Sequence, residues 1–440
     1  MTNRLNRREF VRRSAAAGGV LALAHVNPTP GRAALSANEK LNLAFVGVAN
    51  KGGHNLEQLT SENIAVLCDV DQNYLDALKE RFPHAKVYRD FRRMLDAEEK
   101  NIDAVVVSTA DHTHAPATAA ALVRGKHVYC EKPLTHTVHE ARHIAALAKR
   151  HGVATQMGTQ VHAESNYRRV VGLVQAGAVG PVREVHTWCN KGWSNGRFAE
   201  GAPPPANLDW DLWLGPARER PYSSGIHPAN WRRFFEYGSG TFGDMACHIM
   251  DLPFWALGLA HPTSAVAIGP EVHPDGAPEW CLCEYEFPGR EGQPPVKLTW
   301  SDGGRHHDLV RETLDHGGTS LSQWGLGVLF VGEKGMLAAD YGQRQLLPAD
   351  KFKDFAPPPA TIADSIGHWA EWVQACKTGS PTTCNFDYAG TMTETVLLGV
   401  VAYRSGERLA WDAANLKVTN SSAADALIRK EYRPGWELAG

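Results

Sequence analysis

Between residues 41 and 151, short apolar runs alternate with amphipathic stretches. The apolar runs cover residues 41–47, 64–68, 85–88, 102–108 and 126–130. Helix-like stretches follow them, over 73–81, 91–98, 115–124 and 136–151 among others. This order leaves few folds open. Strands buried on both faces read as continuous apolar runs, and a helix between successive strands makes them parallel. The pattern predicts an α/β fold whose N-terminal part is a doubly wound parallel sheet.

After about residue 160 the pattern changes. A helix is expected over 167–176 and a strand over 182–190, followed by a loop rich in Pro, Gly and Trp over 191–233. Strands over 263–268, 280–287, 296–301 and 328–332 and helices over 362–377 and 388–405 complete the chain. These predict a C-terminal α+β domain with an open-faced, mostly antiparallel sheet. The expected organisation is a leader and linker over 1–37, the parallel-sheet domain over 38–160 and the second domain over 161–440.

A chain of 440 residues fits two or three domains. Its 43% hydrophobic and 21% charged residues exclude a disordered or collagen-like chain. Lys and Arg (45) nearly balance Asp and Glu (48), so the basic excess of a nucleic-acid-binding protein is absent. The eight cysteines form no zinc-finger spacing, and Cys68 and Cys130 sit in strand-like runs as small core residues.

Arg7, Arg8 and Phe10 precede an apolar, small-residue run over 14–26. The run is too short to span a bilayer. A charged start before such a run is the pattern of an export signal, and the arginine pair resembles a twin-arginine signal. The expected location is the periplasm or another exported one reached by the twin-arginine route. No later segment has the pattern of a membrane span.

The turn after the first strand reads Gly47-Val48-Ala49-Asn50-Lys51-Gly52. A dinucleotide fingerprint, Gly-x-Gly-x-x-Gly, is expected there, and Ala49 replaces its second glycine. Asp69 follows at the end of the second strand, where a carboxylate binds ribose hydroxyls and disfavours a 2′-phosphate. The preferred cofactor is therefore NAD rather than NADP. Ser108, Thr109, His112 and His114 follow the fourth strand, next to the expected nicotinamide position. His112 with His114, or His306 with His307, could form a metal pair, but neither has a third ligand nearby, and no metal is expected.

Glu131-Lys132-Pro133 ends the fifth strand, at the sheet edge where ligands bind. Pro133 restricts Lys132 to an extended backbone. A lysine there can donate a proton or hydrogen bond to a reacting oxygen. Downstream, Asp244, His248 and Asp251 are spaced i, i+4, i+7, which places them on one helical face. An Asp one turn before a His can orient the imidazole for acid–base work.

Together these segments resemble the Gfo/Idh/MocA oxidoreductases over about 400 residues. The Glu-Lys-Pro segment and the Asp-x-x-x-His are the most specific marks. The resemblance implies an N-terminal Rossmann domain, a C-terminal open sheet used in homo-oligomer packing, and NAD(P) chemistry on sugars and polyols. It makes Lys132, Asp244 and His248 the catalytic set. His248 would take the hydroxyl proton, Lys132 would hold the reacting oxygen and Asp244 would bind substrate. Gly47, Ala49, Asn50, Lys51, Gly52, Asp69, Ser108, Thr109, His112, His114, Glu131 and Lys132 are the expected cofactor contacts. Gln160, Arg168, Trp231 and Arg232 are further expected substrate contacts, beside Asp244 and His248. Several Trp of the 191–233 loop are candidates for sugar stacking.

Export adds a constraint, because the periplasm holds no large pool of free nicotinamide. A cofactor that travels bound must be regenerated within each turnover. Sugar–sugar oxidoreduction, oxidation with elimination and re-reduction (net glycoside hydrolysis), and epimerisation all meet that condition. A cofactor-free sugar-binding protein is the reading from another class. Lys132, Asp244 and His248 argue against it, since binding alone needs no acid–base set.

Overall fold

The structure, a computed structural model, describes residues 39–290 and 292–440. Arg7, Arg8, Phe10 and the expected signal lie outside the described residues. Strands β1 (Asn42–Val46), β2 (Asn63–Cys68), β3 (Lys86–Tyr88), β4 (Ala104–Val107), β5 (His127–Cys130) and β6 (Thr155–Met157) form one sheet, ordered β3-β2-β1-β4-β5-β6. All its pairings are parallel, with Phe45 registered on both Leu67 and Val106. The strand order reverses between β1 and β4, which opens a crevice at their carboxyl ends.

Helices α1 (Lys51–Gln58), α2 (Gln72–Lys79), α3 (Phe91–Glu98), α4 (Asp111–Leu122) and α5 (Val138–His151) connect these strands. Local chemistry sets their ends. Asp71 and Asp90 cap α2 and α3 by accepting from backbone N–H groups. Thr137 and Glu140 form a reciprocal capping box at α5, and Gly152 ends it in the left-handed conformation.

Helix α6 (Ser165–Gln175) leads into β7 (Val182–Cys189). A long loop carries the short helix α7 (Trp210–Leu214). Helices α8 (Gly240–Ile249) and α9 (Asp251–Leu257) precede β8 (Ser264–Ile268), β9 (Leu282–Phe287) and β10 (Val296–Asp302). Then come α10 (Asp308–Glu312), β11 (Leu326–Gly332), β12 (Gly335–Ala339) and β13 (Arg344–Leu347). Helices α11 (His368–Thr378) and α12 (Phe386–Ser405), strands β14 (Leu409–Asp412) and β15 (Lys417–Val418) and helix α13 (Ser422–Leu427) follow. The second sheet has nine strands, ordered β13-β12-β11-β7-β10-β9-β8-β14-β15. Only β7 and β10 pair in parallel.

Two helices from the end of the chain return to the parallel sheet. Trp372 and Cys376 of α11 share an apolar cluster with Leu41, Phe45, Leu67, Val106 and Tyr129. Helix α12 lies against α5 so closely that a Cβ on Gly390 would stand 3.0 Å from the Ala145 Cβ. Arg142 of α5 grips Glu394 of α12 with two hydrogen bonds, at 2.9 and 3.0 Å. No helix of the described residues is long and apolar enough to cross a membrane.

Candidate active site

The βα turn after β1 is tight. Gly47 has a φ of +86°, and a Cβ there would come within 2.5 Å of the Ser108 carbonyl oxygen. A Cβ on Gly52 would collide with the Gly47 carbonyl. Both positions need glycine. Ala49 is half-buried, and its carbonyl accepts the Gly52 N–H at 2.9 Å, so the methyl is tolerated within the turn.

Asp69 stands at the carboxyl end of β2. Its two oxygens accept the N–H groups of Val48 and Asp71, at 2.9 and 3.0 Å. Burial raises its pKa. Glu131 is anchored by Asn55 and Gln160, at 3.0 and 3.2 Å, with Lys51 Nζ at 4.0 Å. Asn55 also donates to Ser108 Oγ at 3.0 Å.

Lys51, Asp69, Ser108 and Glu131 line a cleft above the turn. Gly47, Ala49, Asn50, Lys51, Asp69, Ser108, Thr109, His112, His114, Glu131 and Lys132 all face it. Gly52 sits behind the turn. Glycine turn, ribose-side carboxylate and groove together fit a dinucleotide lying over β1 and β4.

The opposite wall comes from the 191–233 loop and residues 430–440. Leu212, Trp213, His227, Trp231, Arg232 and Trp436 contribute to it. This strap is tied to the end of β2. Asn207 Nδ2 donates to Asp71 Oδ1 at 2.7 Å, and Gln72 and Asp209 exchange backbone hydrogen bonds with Asn207 and Val70. Arg433 donates to Asp211 at 2.7 Å and to the Gly215 carbonyl at 2.8 Å. The Arg92 guanidinium stacks 3.8 Å from the Trp436 ring centroid.

Lys132 closes the inner end of the cleft. Its Nζ lies 2.5 Å from Asp244 Oδ1, and Arg232 Nε lies 3.2 Å from the same oxygen. Lys191 Nζ and Trp193 Nε1 each donate to Oδ2 at 2.9 Å. Burial opposes the Asp244 charge, yet Lys132, Arg232 and Lys191 hold its pKa far below the usual carboxylate range. Burial is the largest influence and opposes the Lys132 charge, but Asp244 and Glu131 together raise the ammonium pKa.

Burial, with help from Lys132, pushes the His248 pKa down to about 3, so the ring is neutral at ordinary pH. Its Nδ1 is buried without a hydrogen-bond partner. The expectation that Asp244 orients this imidazole needs correction. Both carboxylate oxygens are taken by cations and an indole, and Asp244 acts on His248 only through its charge.

The single stripe of Asp244, His248 and Asp251 is also corrected. Helix α8 ends at Ile249, and Asp251 opens α9. The Asp251 carboxylate turns to His162 Nδ1 at 2.9 Å and to the Tyr388 hydroxyl at 2.8 Å.

Other expected residues divide. Trp231 and Arg232 line the cleft. Gln160 supports Glu131 rather than facing the cleft. Arg168 is buried on Glu371 at 2.6 Å and the Ala363 carbonyl at 2.9 Å, away from the cleft. The histidine pairs, from which no metal is expected, have other partners, and His307 groups with His186 and Glu184. His112 Nε2 meets the Trp213 carbonyl, His114 lies between the Pro133 and Thr109 carbonyls, and His307 stacks on His186.

The sequence pattern did not single out Asp111. It lines the cleft in the first turn of α4, and burial raises its pKa to about 7. The flanking histidines drew attention away from it. Lys191 opens the 191–233 loop and carries no local signal. Its role depends on a fold that places residue 191 beside residue 244.

The sequence over residues 23–159 matches the family described as "Oxidoreductase family, NAD-binding Rossmann fold", and residues 178–290 match that family's C-terminal alpha/beta domain. Together the two matches cover more than half of the chain. The chain belongs to the Gfo/Idh/MocA oxidoreductase family.

Among relatives in this family, an uncharacterized oxidoreductase of Escherichia coli, YdgJ, is 26% identical over 51% of this chain and 55% of its own. An alpha-N-acetylgalactosaminidase of Shewanella oneidensis is 30% identical over 32% of this chain and 33% of its own. The matched part thus spans about half or less of these relatives' lengths. The aldose-aldose oxidoreductase of Caulobacter crescentus superposes with a TM-score of 0.56 at 17% identity, over 85% of this chain and 100% of that one. At that identity the likeness is one of Gfo/Idh/MocA fold.

Proposed function

We propose that this chain oxidises a hydroxyl of a sugar, glycoside or polyol with a retained NAD. The observation that carries the reading is the buried Lys132–Asp244 pair at the glycine-turn cleft, with neutral His248 one turn after Asp244 on α8. When bound there, the nicotinamide supplies hydride transfer. The chain's own groups supply the proton chemistry. The Lys132 ammonium, fixed by Asp244, donates a hydrogen bond to the reacting oxygen and stabilises negative charge on it. Neutral His248 takes the hydroxyl proton, through the ring nitrogen other than its buried Nδ1.

Asp69 favours NAD over NADP. The strap across the groove supports retention of the cofactor. Export through Arg7 and Arg8, with work in the periplasm and assembly into a homo-oligomer, completes the reading. A small carbohydrate is the partner it requires.

Asp111 favours a second reading, glycoside cleavage by transient oxidation and elimination. A carboxyl with a pKa near 7 in the cleft of Lys132 is a further acid–base group that simple alcohol oxidation does not need.

The test is to denature purified, undialysed protein and assay the supernatant for nicotinamide nucleotide by mass spectrometry. Stoichiometric NAD or NADH is expected. Protein that is empty and does not bind added NAD would overturn the enzyme reading in favour of a sugar-binding module.

A further inference from the structure

Strand β7 carries Glu184 and His186 two residues apart, which places both on one face of the sheet. His307, just before α10, lies over the same face and stacks on His186, with ring centroids 4.0 Å apart. One donor atom from each of the three residues stands within 4.8 Å of the other two. The chain from α10 onward covers this face, since Trp188 of β7 packs with Val310 and Leu321. None of the three residues lines the cofactor cleft, so their chemistry is independent of the sugar-oxidising reading.

His186 is 1% exposed, and its Nε2 is buried without a hydrogen-bond partner. A buried ring nitrogen left in this way costs free energy unless something binds it. Glu184 Oε1 stands 3.3 Å away. Two donors on one tetrahedral ion, each about 2.0–2.1 Å from it, take a spacing of about 3.3 Å. The other ring nitrogen is fixed, because His186 Nδ1 lies 2.8 Å from Thr299 Oγ1 on the neighbouring strand β10. A proton on Nδ1, donated to that hydroxyl, leaves Nε2 bare, as a metal ligand requires. Lys297, registered beside Glu184, gives its ammonium to Glu284 at 2.7 Å instead. His307 is half-buried and accepts the Leu309 N–H at Nδ1 over a long 3.3 Å, so a turn of its ring out of the 22° stack brings Nε2 to bear. The Glu184 side chain is 32% exposed, which leaves a fourth position open to water.

We propose that Glu184, His186 and His307 bind a zinc ion, which ties the start of α10 to β7. Two imidazoles and one carboxylate are a donor set that suits zinc, with water as the fourth ligand. Thr299 is the outer partner that sets the His186 tautomer.

The test uses the purified full chain, freed of metal with EDTA and passed over a desalting column. Zinc is then titrated into it against a chromogenic chelator. The wild type is expected to draw one ion per chain from the chelator. His307→Ala and Glu184→Gln are expected to draw none. Thr299→Val, which keeps the shape but removes the acceptor for Nδ1, is expected to weaken binding by about 10–100-fold. His139→Ala, which breaks the stacked pair of His139 and His143 on α5, is expected to bind as the wild type does. Circular dichroism checks the fold of each variant, and Glu184→Gln decides the matter if His307→Ala does not fold. A wild type that draws no zinc would overturn the site. So would wild-type uptake by folded His307→Ala or Glu184→Gln, or uptake lost with His139→Ala.

Discussion

The Nζ of Lys132 lies 2.5 Å from Oδ1 of Asp244, and the two side chains are only 10% and 4% exposed. The pair is therefore a buried one whose halves depend on each other. Asp244→Ala would leave the Lys132 ammonium buried without its closest partner. Removal of one member of such a pair costs about 3–5 kcal/mol. Urea unfolding of Asp244→Ala is expected to show a loss of that order. Asp244→Asn, which keeps the volume, is expected to lose less stability but most of the turnover.

Lys132→Ala and His248→Ala address the chemistry directly. Each is expected to lower turnover by about 10²–10⁴, the worth of a positioned acid–base group. The fair measure is a single turnover of the retained cofactor, because it isolates the chemical step from cofactor exchange. Near-normal rates in both variants would remove them from the mechanism.

The strap makes a separate prediction about retention. Arg433→Ala breaks the links to Asp211 and Gly215, and Asp69→Ala removes the carboxylate at the end of β2. Both variants are expected to lose nicotinamide nucleotide on gel filtration where the wild type keeps it. Full retention in Asp69→Ala would argue against the ribose contact.

Stability should depend on pH through buried histidines. Burial holds His112, His248 and His368 near pKa 3, and His136 well below its usual value. Below pH 6.5 the unfolded chain gains protons at these rings while the folded chain does not. Stability therefore falls as pH falls, by about 1.4 kcal/mol per pH unit for each such ring. Asp111 and Asp302, both raised to about 7 by burial, act in the opposite sense, since the folded carboxyls keep protons that the unfolded ones release. The histidines outnumber them, so the urea midpoint is expected to drop between pH 7 and pH 4.5. His368→Gln should flatten that slope and Asp302→Asn should steepen it.

The parallel sheet was largely legible from its apolar runs, because strands such as Ala104–Val107 are buried on both faces and carry little else. Strand β6 was not. Thr155, Gln156 and Met157 are too few and too mixed to give a period, and Gln156 Nε2 donates to a carbonyl from residue 368, far along the chain. Strands β12 to β15 were not legible either, although β12 is as long as β1, because residues such as Gly335-Met336-Leu337-Ala338-Ala339 carry no β-branched run. In the site, Lys132 and the Asp244–His248 segment stood out because their types and positions carry chemistry locally. The trade of Asp244 from His248 to Lys132 was not legible, since it depends on a contact across 112 residues. Asp251 misled because a 3.6-residue period was extended past the point where the helix breaks.

Trp372 of α11 is fully buried against Phe45 and Val106. Trp372→Ala is expected to cost about 3–5 kcal/mol, as for other large aromatic deletions, and so to weaken the cofactor-holding sheet from more than 200 residues away in sequence. The nucleotide half thus borrows part of its covering layer from the far end of the chain. It cannot be excised as a self-sufficient module by cutting between β6 and β7. A chimera that joins this sheet to a relative's substrate half would have to bring α11 and α12 along with it.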